Sequence, residues 1–447
     1  MTRRAAVVGV MLAAACALAG SSAYSAHPRG LLIVTLDTTR ADCVPAYGFR
    51  GVTTPAIDRL ARHAAIFDNA ESVAPLTLTA HTSIFTGLYP PRHSVRDNVA
   101  PPLDPAHATL AGVLRAQGFR TAAFVGSAVL RRDRGLARGF DTYEDGTRPG
   151  GSTPRRRSAR EVVDEAGAWI DGLHDGRFFL WVHLYDAHAP QTLPLEFRRK
   201  YGDNYEGAIA YMDSQIGRLL DALQQKRLLD STTILIAADH GESLGEHGER
   251  EHGIFLYESV LHVPLIVRAP GMRERRVSDL ASLVDVFPTV LDLLGVPASP
   301  STDGRSLLPA MRGERLPART VYAESMYAKR FGWSPLRMVR DARLKFIDAP
   351  RPELYDVVAD RFEQRNLAAQ RGTVAAAMRA DLAAIASGAT RPSGVPAPDA
   401  LRELAALGYV SHGPATAAAG ADGAGLDPKD YIHIFNNATR ARSMSIR

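Results

Sequence analysis

The chain has 447 residues, 46% hydrophobic and 23% charged, a composition that excludes fibrous and disordered classes and allows one large core or two domains. Its formal charge of +5 is small for the length and sits in short groups such as Arg155 to Arg157 and Arg273 to Arg276, with no interleaved aromatic residues, which argues against a nucleic-acid partner. Only Cys16 and Cys43 occur, so neither a disulfide framework nor a cysteine metal site is expected.

Residues 1–26 read as a secretory signal: Arg3 and Arg4, an apolar run from Ala5 to Gly20, then small residues through Ala26. The run is short for a membrane span, so cleavage and a secreted or periplasmic destination are expected, with no stable span left afterwards. Cys16 offers a less favoured lipidation route.

The run Leu31-Leu32-Ile33-Val34-Thr35-Leu36 predicts a buried parallel strand ending at Asp37, and open α/β sheets place their sites at such ends. Thr54 to Ala65 has helical periodicity. A helix beginning at Thr77, just behind Pro75, puts a hydroxyl where free N–H groups and the dipole favour an anion, with His81 on the same face. Thr109 to Gln117 predicts a helix closed by Gly118, followed by a strand over Thr121 to Val125. Gly146 to Ser158 reads as a surface loop and Ala159 to Leu173 as a helix. The strand Phe178 to Leu184 runs into Tyr185-Asp186-Ala187-His188-Ala189-Pro190. An amphipathic helix over Tyr205 to Lys226 precedes the strand Thr232 to Ala238, which delivers Asp239-His240-Gly241-Glu242, with His247 and His252 close behind. A strand over His262 to Val267 and a helix over Leu283 to Leu294 complete a catalytic unit placed at residues 30–313.

A smaller unit at 317–410 is expected to hold strands at Thr320 to Glu324, Leu336 to Val339, Leu344 to Ile347 and Glu353 to Asp356, then a helix from Thr373 to Ile385. Residues 411–447 read as an Ala/Gly-rich flexible linker and a tail able to contact a protein partner.

Asp37, Thr77, Asp239 and His240 come from strand ends and one helix start that a single sheet can bring together. Two carboxylates, an imidazole and a hydroxyl suit one divalent ion, Mn, Zn, Ca or Mg. Such an ion would lower the pKa of the Thr77 hydroxyl, and the helix start would stabilise an anionic ester, which points to phosphoryl or sulfuryl transfer.

These positions carry a resemblance. Asp37, the segment Thr77 through Thr86-Gly87-Leu88-Tyr89-Pro90, Asp239-His240-Gly241-Glu242, His252-Gly253 with Leu256-Tyr257-Glu258, Val263-Pro264-Leu265, Glu353-Leu354-Tyr355-Asp356 and Asn366-Leu367 occur in an order that resembles the sulfatase family of the alkaline phosphatase superfamily, over nearly all of Gly30 to Val410. The resemblance implies an α/β/α sandwich with a mixed, mostly parallel sheet and a small C-terminal antiparallel sheet with a helix. It also implies contacts from His188 and His252 to the substrate anion or leaving group, with His247 and His262 as weaker candidates.

Departures from the family pattern shape the expectation. Sulfatases carry a Cys or Ser, matured to formylglycine, where this chain has Thr77, so no formylglycine is expected. Thr79 and His81 stand at the motif's proline and arginine, and His81 is expected to take the arginine's place. The first strand's aspartate pair is reduced to Asp37-Thr38, and the Lys-x-His segment has no counterpart near Val125-Gly126-Ser127. The chain is also similar to threonine-dependent relatives that act on phosphate diesters or transfer phosphoglycerol and phosphoethanolamine. Similar bacterial chains continue into tetratricopeptide repeats, of which the tail after Asp427 would be a remnant.

The expected activity is therefore an exported, metal-dependent ester hydrolase with Thr77 as nucleophile, phosphorus esters favoured, and a small-molecule, glycan or lipid-headgroup ester as substrate. The alternatives are a true sulfuric ester hydrolase, a phosphoglycerol- or phosphoethanolamine-type transferase, and a catalytically silent binding protein.

Overall fold

The computed structural model describes residues 28–147, 156–297, 302–388 and 425–445. The signal-like segment with Cys16, residues 148–155 of the Gly146 to Ser158 loop and residues 411–424 of the linker lie outside them.

Long apolar runs with no alternation belong in strands covered on both faces. Eight strands form the large sheet: β1 (Gly30–Leu36), β2 (Ala65–Phe67), β3 (Arg120–Val125), β4 (Thr142–Glu144), β5 (Phe178–Leu184), β6 (Thr232–Ala238), β7 (Leu265–Arg268) and β8 (Arg275–Val277). Their order is β8-β2-β7-β6-β1-β5-β3-β4, and only β7 runs antiparallel to its neighbours. Every residue of β1, β5 and β6 is buried, as their sequences require. The architecture is the expected α/β/α sandwich with a mixed, mostly parallel sheet. The strand expected from His262 starts only at Leu265, because the preceding residues Glu258–Leu261 form a short helix. The three-residue strands β4 and β8 are too short to leave a pattern in the sequence.

Helices α1 (Pro55–Ala61), α2 (Thr77–Thr86), α3 (Ala159–Asp171), α4 (Tyr205–Gln225) and α5 (Val286–Leu294) pack with this sheet. Ser158 and Glu161 form a capping box at α3, and the Asn204 side chain caps α4 by accepting from Gly207 N–H at 2.8 Å. Helix α2 is buried along its whole length, so its hydroxyls and imidazole face protein, not bulk water.

A four-stranded antiparallel sheet follows: β9 (Val321–Ser325), β10 (Leu336–Arg340), β11 (Leu344–Asp348) and β12 (Glu353–Asp356), covered by α6 (Gly372–Ala386). The two sheets meet through a buried ionic network: Arg340 on β10 bonds Glu71 and Glu258, and Lys345 on β11 reaches Glu258 at 3.1 Å and Glu363 at 2.9 Å. The tail is helical over α7 (Pro428–Ser445) and buries Ile432 and Phe435 against the small sheet's core cluster. No helix among the described residues is long and apolar enough to cross a membrane.

Candidate active site

The sheet register builds the site. Leu36 pairs with both Leu184 and Ala238, so β1, β5 and β6 end in line and release Asp37, Tyr185 and Asp239 at one edge. Ligand atoms of Asp37, Asp239 and His240 all lie within 4.8 Å of one another, and all three side chains are fully buried. Thr38 turns the chain at a positive φ of 52°, held by its N–H to Asp239 Oδ1 at 3.2 Å and by the Tyr205 hydroxyl, which donates to Thr38 O at 2.5 Å.

Thr77 is the first residue of α2, with Leu76 at the N-cap offering no side-chain cap. Its hydroxyl donates to Asp37 Oδ2 at 3.4 Å and lies 3.3 Å from His240 Nε2. His240 Nδ1 donates to Gly241 O at 2.9 Å, which leaves Nε2 as the neutral ring's lone-pair nitrogen. Asp37 Oδ1 and Asp239 Oδ2 have no hydrogen-bond partner although both are buried. Orphaned carboxylate oxygens beside an imidazole lone pair and a hydroxyl are a donor set that fits a hard or borderline divalent cation. Desolvation by burial pushes the Asp37 carboxyl up to about 7, against the lowering effect of His240.

Beneath this cluster lies a network that the sequence reading missed. The Thr35 hydroxyl contacts Trp181 Nε1 at 2.9 Å, His183 Nδ1 at 3.0 Å and His81 Nε2 at 3.0 Å, and His183 Nε2 lies 3.2 Å from Asp37 Oδ2. His81 Nδ1 donates to Thr77 O at 2.7 Å, 3.6 Å from Asp239 Oδ2. Burial holds His81 down to about 3 and His183 to about 4, so both rings are neutral. The expectation that His81 stands in for the family's arginine meets a different geometry. Its ring is fully buried, both nitrogens are engaged by protein atoms, and it is walled by Trp181 and Phe85. A short imidazole cannot carry a cationic head out to a substrate as a guanidinium does. The signal for His183 was a lone imidazole in the otherwise apolar run Phe178 to Leu184.

The rim is aromatic. The His252 ring lies 4.4 Å from that of His240 and 5.0 Å from that of His188, and His188 stacks on Tyr185 at 4.6 Å. Glu242 Oε1 fixes His252 through Nδ1 at 2.9 Å, and Arg156 holds the His188 loop by donating to Pro190 O at 2.6 Å and His188 O at 2.9 Å. Desolvation lowers His252 to about 4 and His188 well below the ordinary imidazole value, and raises Glu242 to about 8. The weaker candidates bind backbone: His247 Nε2 lies 3.1 Å from Phe362 O with its ring stacked on Tyr257, and His262 Nε2 lies 2.9 Å from Asp68 O.

Comparison with known proteins places this arrangement. The sulfatase family profile matches residues 29–296, and the profile of the N-sulphoglucosamine sulphohydrolase C-terminal region matches residues 245–387. Choline-sulfatase of Rhizobium meliloti is 34% identical over 200 residues, 44% of this chain and only 38% of that protein. Delta 4,5-hexuronate-2-O-sulfatase of Bacteroides thetaiotaomicron is 25% identical over 79% of this chain and 87% of its own. The solved structure of the phosphonate monoester hydrolase of Agrobacterium radiobacter superposes with a TM-score of 0.69 at 23% identity, covering 81% of this chain and 96% of that one, which shows a shared fold. With a profile matched over more than half its length and the fold to go with it, the chain belongs to the sulfatase family of ester hydrolases.

Proposed function

We propose that this protein is an exported, metal-dependent hydrolase of sulfate- or phosphate-type esters in which unmodified Thr77, at the position that carries formylglycine in other sulfatases, is the nucleophile and phosphorus esters are favoured. The observation that carries this reading is the Thr77 hydroxyl, 3.4 Å from Asp37 Oδ2 and 3.3 Å from His240 Nε2 at the start of a buried ten-residue helix.

Asp37, Asp239, His240 and the Thr77 hydroxyl would hold one divalent cation, which supplies charge neutralisation and a lowered pKa for that hydroxyl. Thr77 Oγ1 gives up its proton to solvent and attacks the tetrahedral sulfur or phosphorus, the bond from that atom to the ester oxygen breaks, and the organic part leaves as an alcohol whose proton is relayed from water through the neutral ring of His252 or His188. Water then cleaves the threonine ester, giving back the Thr77 hydroxyl and the free acid. His81 and His183 take no part in these bonds; His81 holds the Thr77 carbonyl from behind, and His183 packs beside Asp37. An oxidised threonine would be a ketone whose methyl group crowds its hydrate, so the elimination open to a sulfated aldehyde hydrate is closed here, whereas a phosphothreonine can be displaced in line. By their names, choline-sulfatase, similar in sequence, and phosphonate monoester hydrolase, similar in fold, stand on either side of this choice. Export rests on the signal-like layout of residues 1–26.

The test is turnover of matched aryl sulfate, phosphate monoester, phosphate diester and phosphonate ester with added Mn, Zn, Ca or Mg, with and without glycerol as acceptor. A phosphorus ester should be turned over fastest, with the acid as product. Aryl sulfate far ahead of every phosphorus ester overturns the preference, and a glyceryl ester as main product makes the enzyme a transferase.

A further inference from the structure

Helix α7 lies beyond the residues matched by either family profile, yet it is fastened to the body of the protein at several points. At its start, Arg351 pairs with Asp430 at 2.7 Å and Lys429 Nζ reaches Glu353 Oε1 at 2.6 Å. In its middle, the Tyr431 ring stacks on Trp333 at 6.0 Å, and Phe435 lies 6.0 Å from Phe331 and 6.2 Å from Tyr327. The cluster that Ile432 and Phe435 join also contains Leu76, one residue before Thr77, and Ile254 to Tyr257, two residues past His252. The helix therefore closes a small core from which both the nucleophile helix and the His252 loop depart.

From this anchored frame Asn436 reaches a hairpin. Its Nδ2 donates to Gly248 O at 2.7 Å, and its Oδ1 accepts from Arg250 N–H at 3.0 Å. The hairpin pairs Ser243 with Glu251 and Leu244 with Arg250, so Glu242 and His252 are the residues flanking its two strands, and the 2.9 Å contact between them closes it. Its backbone is conformationally costly, with His247 in the connection at φ 51° and Glu251 in the second strand at φ 74°, a backbone that side-chain-bearing residues hold only when the surroundings over-determine it. The Ser243 hydroxyl holds Glu246 O and Glu249 O from within the hairpin, and one Asn436 amide that satisfies a carbonyl and an N–H two residues apart adds the constraint from outside it.

We propose that Asn436 is a positioning residue for His252: the C-terminal helix fixes the 246–251 segment through this amide and so sets where the His252 ring stands against the Asp37, Asp239 and His240 cluster. The proposal rests on the reading of His252 as a group that acts on substrate. It makes α7 a working part of the active site, in place of a tail left over for another protein.

The experiment is a double-mutant cycle on the full chain, with the ester it turns over best: wild type, Asn436→Leu, His252→Ala and the pair. Leucine keeps the volume and the helix and removes both hydrogen bonds; Asn436→Asp keeps the acceptor for Arg250 N–H and should recover part of the loss. Asn436→Leu should keep a cooperative melt and lower kcat about tenfold to a hundredfold, as for a small misplacement of a catalytic group, with KM within about twofold. Added to His252→Ala, it should cost nothing further. Full kcat in folded Asn436→Leu, or losses that multiply in the pair, would overturn the proposal. A fully active His252→Ala protein overturns the substrate role of His252 and this assignment with it, whereas an impaired His252→Ala beside a fully active Asn436→Leu overturns this assignment alone.

Discussion

Asp37 and Asp239 stand side by side because Leu36 and Ala238, the residues just before them, are paired in parallel register. Both carboxylates are fully buried, and desolvation lifts Asp37 to about 7. A carboxyl must shed its proton to hold a cation. The affinity of the wild type for Mn2+ should therefore rise about tenfold per unit between roughly pH 5 and 7 and level off above, as for a single proton in competition. Calorimetric titration across that range checks it; an affinity flat with pH excludes Asp37 as the titrating ligand.

The same shift has a stability consequence of opposite direction. The folded pKa near 7 lies above the ordinary aspartate value of about 3.9, so between them the native state keeps a proton that the unfolded chain has lost. Its stabilising contribution is complete below about pH 4 and gone once pH passes about 7. Chelator-treated wild type should lose melting temperature relative to Asp37→Asn as pH rises from 4 to 7, and metal should restore it. Paired melts of the two proteins, with and without chelator, give the answer.

Asp239→Ala should abolish stoichiometric metal binding, and wild type should carry one ion per chain. Metal analysis of the purified protein decides both points. Two tightly held ions per active chain, or an Asp239→Ala protein with full activity, would count against the ligand set.

His188 and His252 should part company when replaced by Ala. His188 is only partly buried and bonds the neighbouring Ala189 carbonyl, so its loss should change stability by no more than about 0.5 kcal/mol. His252 is buried against Glu242, and its removal strands that carboxyl at a cost of about 1–3 kcal/mol. Both should lose activity by about tenfold to ten-thousandfold, the range for a general acid or a charge-stabilising contact. Melting curves and kcat measured on the same preparations separate the two effects.

Thr77→Ala should be inactive, Thr77→Ser should retain turnover, and the peptide containing Thr77 should have the mass its codons specify. A Thr77→Cys protein converted to formylglycine should gain on aryl sulfate relative to the parent. No gain there would remove the chemical reason for the phosphorus preference.

Lys345→Met should destabilise by about 3–5 kcal/mol, because it breaks a buried ion pair and leaves the buried Glu363 carboxyl without its cation, while Glu258 keeps Arg340. Denaturant unfolding measures this directly. A neutral outcome would mean that the carboxyls take up protons in its place.

The parts of this protein legible in sequence were those written as long apolar runs or as polar residues at their ends. β5 and β6 came out with their full bounds, and the Asp37, Asp239, His240 and Thr77 cluster followed from where the strands stop. What escaped was what depends on which atoms meet across the sheet. His183 looks like one polar residue in a strand until the register sets it beside Asp37, and Thr35 looks like an ordinary β-branched residue until three ring nitrogens converge on its hydroxyl. The spacing of His81 from Thr77 sets both on one face of the helix, and burial of the whole helix turns that face inward. Helix α7 left little signal for another reason: among its described residues Ile432 and Phe435 are the large aliphatic or phenyl side chains that are buried, too few for a periodic stripe.

The Asp37, Thr77, Asp239 and His240 cluster draws its members from chain positions some two hundred residues apart, and they meet only because β1 and β6 are neighbours. No local segment can pre-form it, and the loop-closure entropy of joining its halves is met only when the central strands condense. Metal binding at these residues would therefore be a probe of the completed sheet. A fragment ending before β6 should show no specific divalent site, and each tenfold excess of cation over its dissociation constant should add about 1.4 kcal/mol to the stability of the whole large sheet, because the ion binds the folded state and not the open chain.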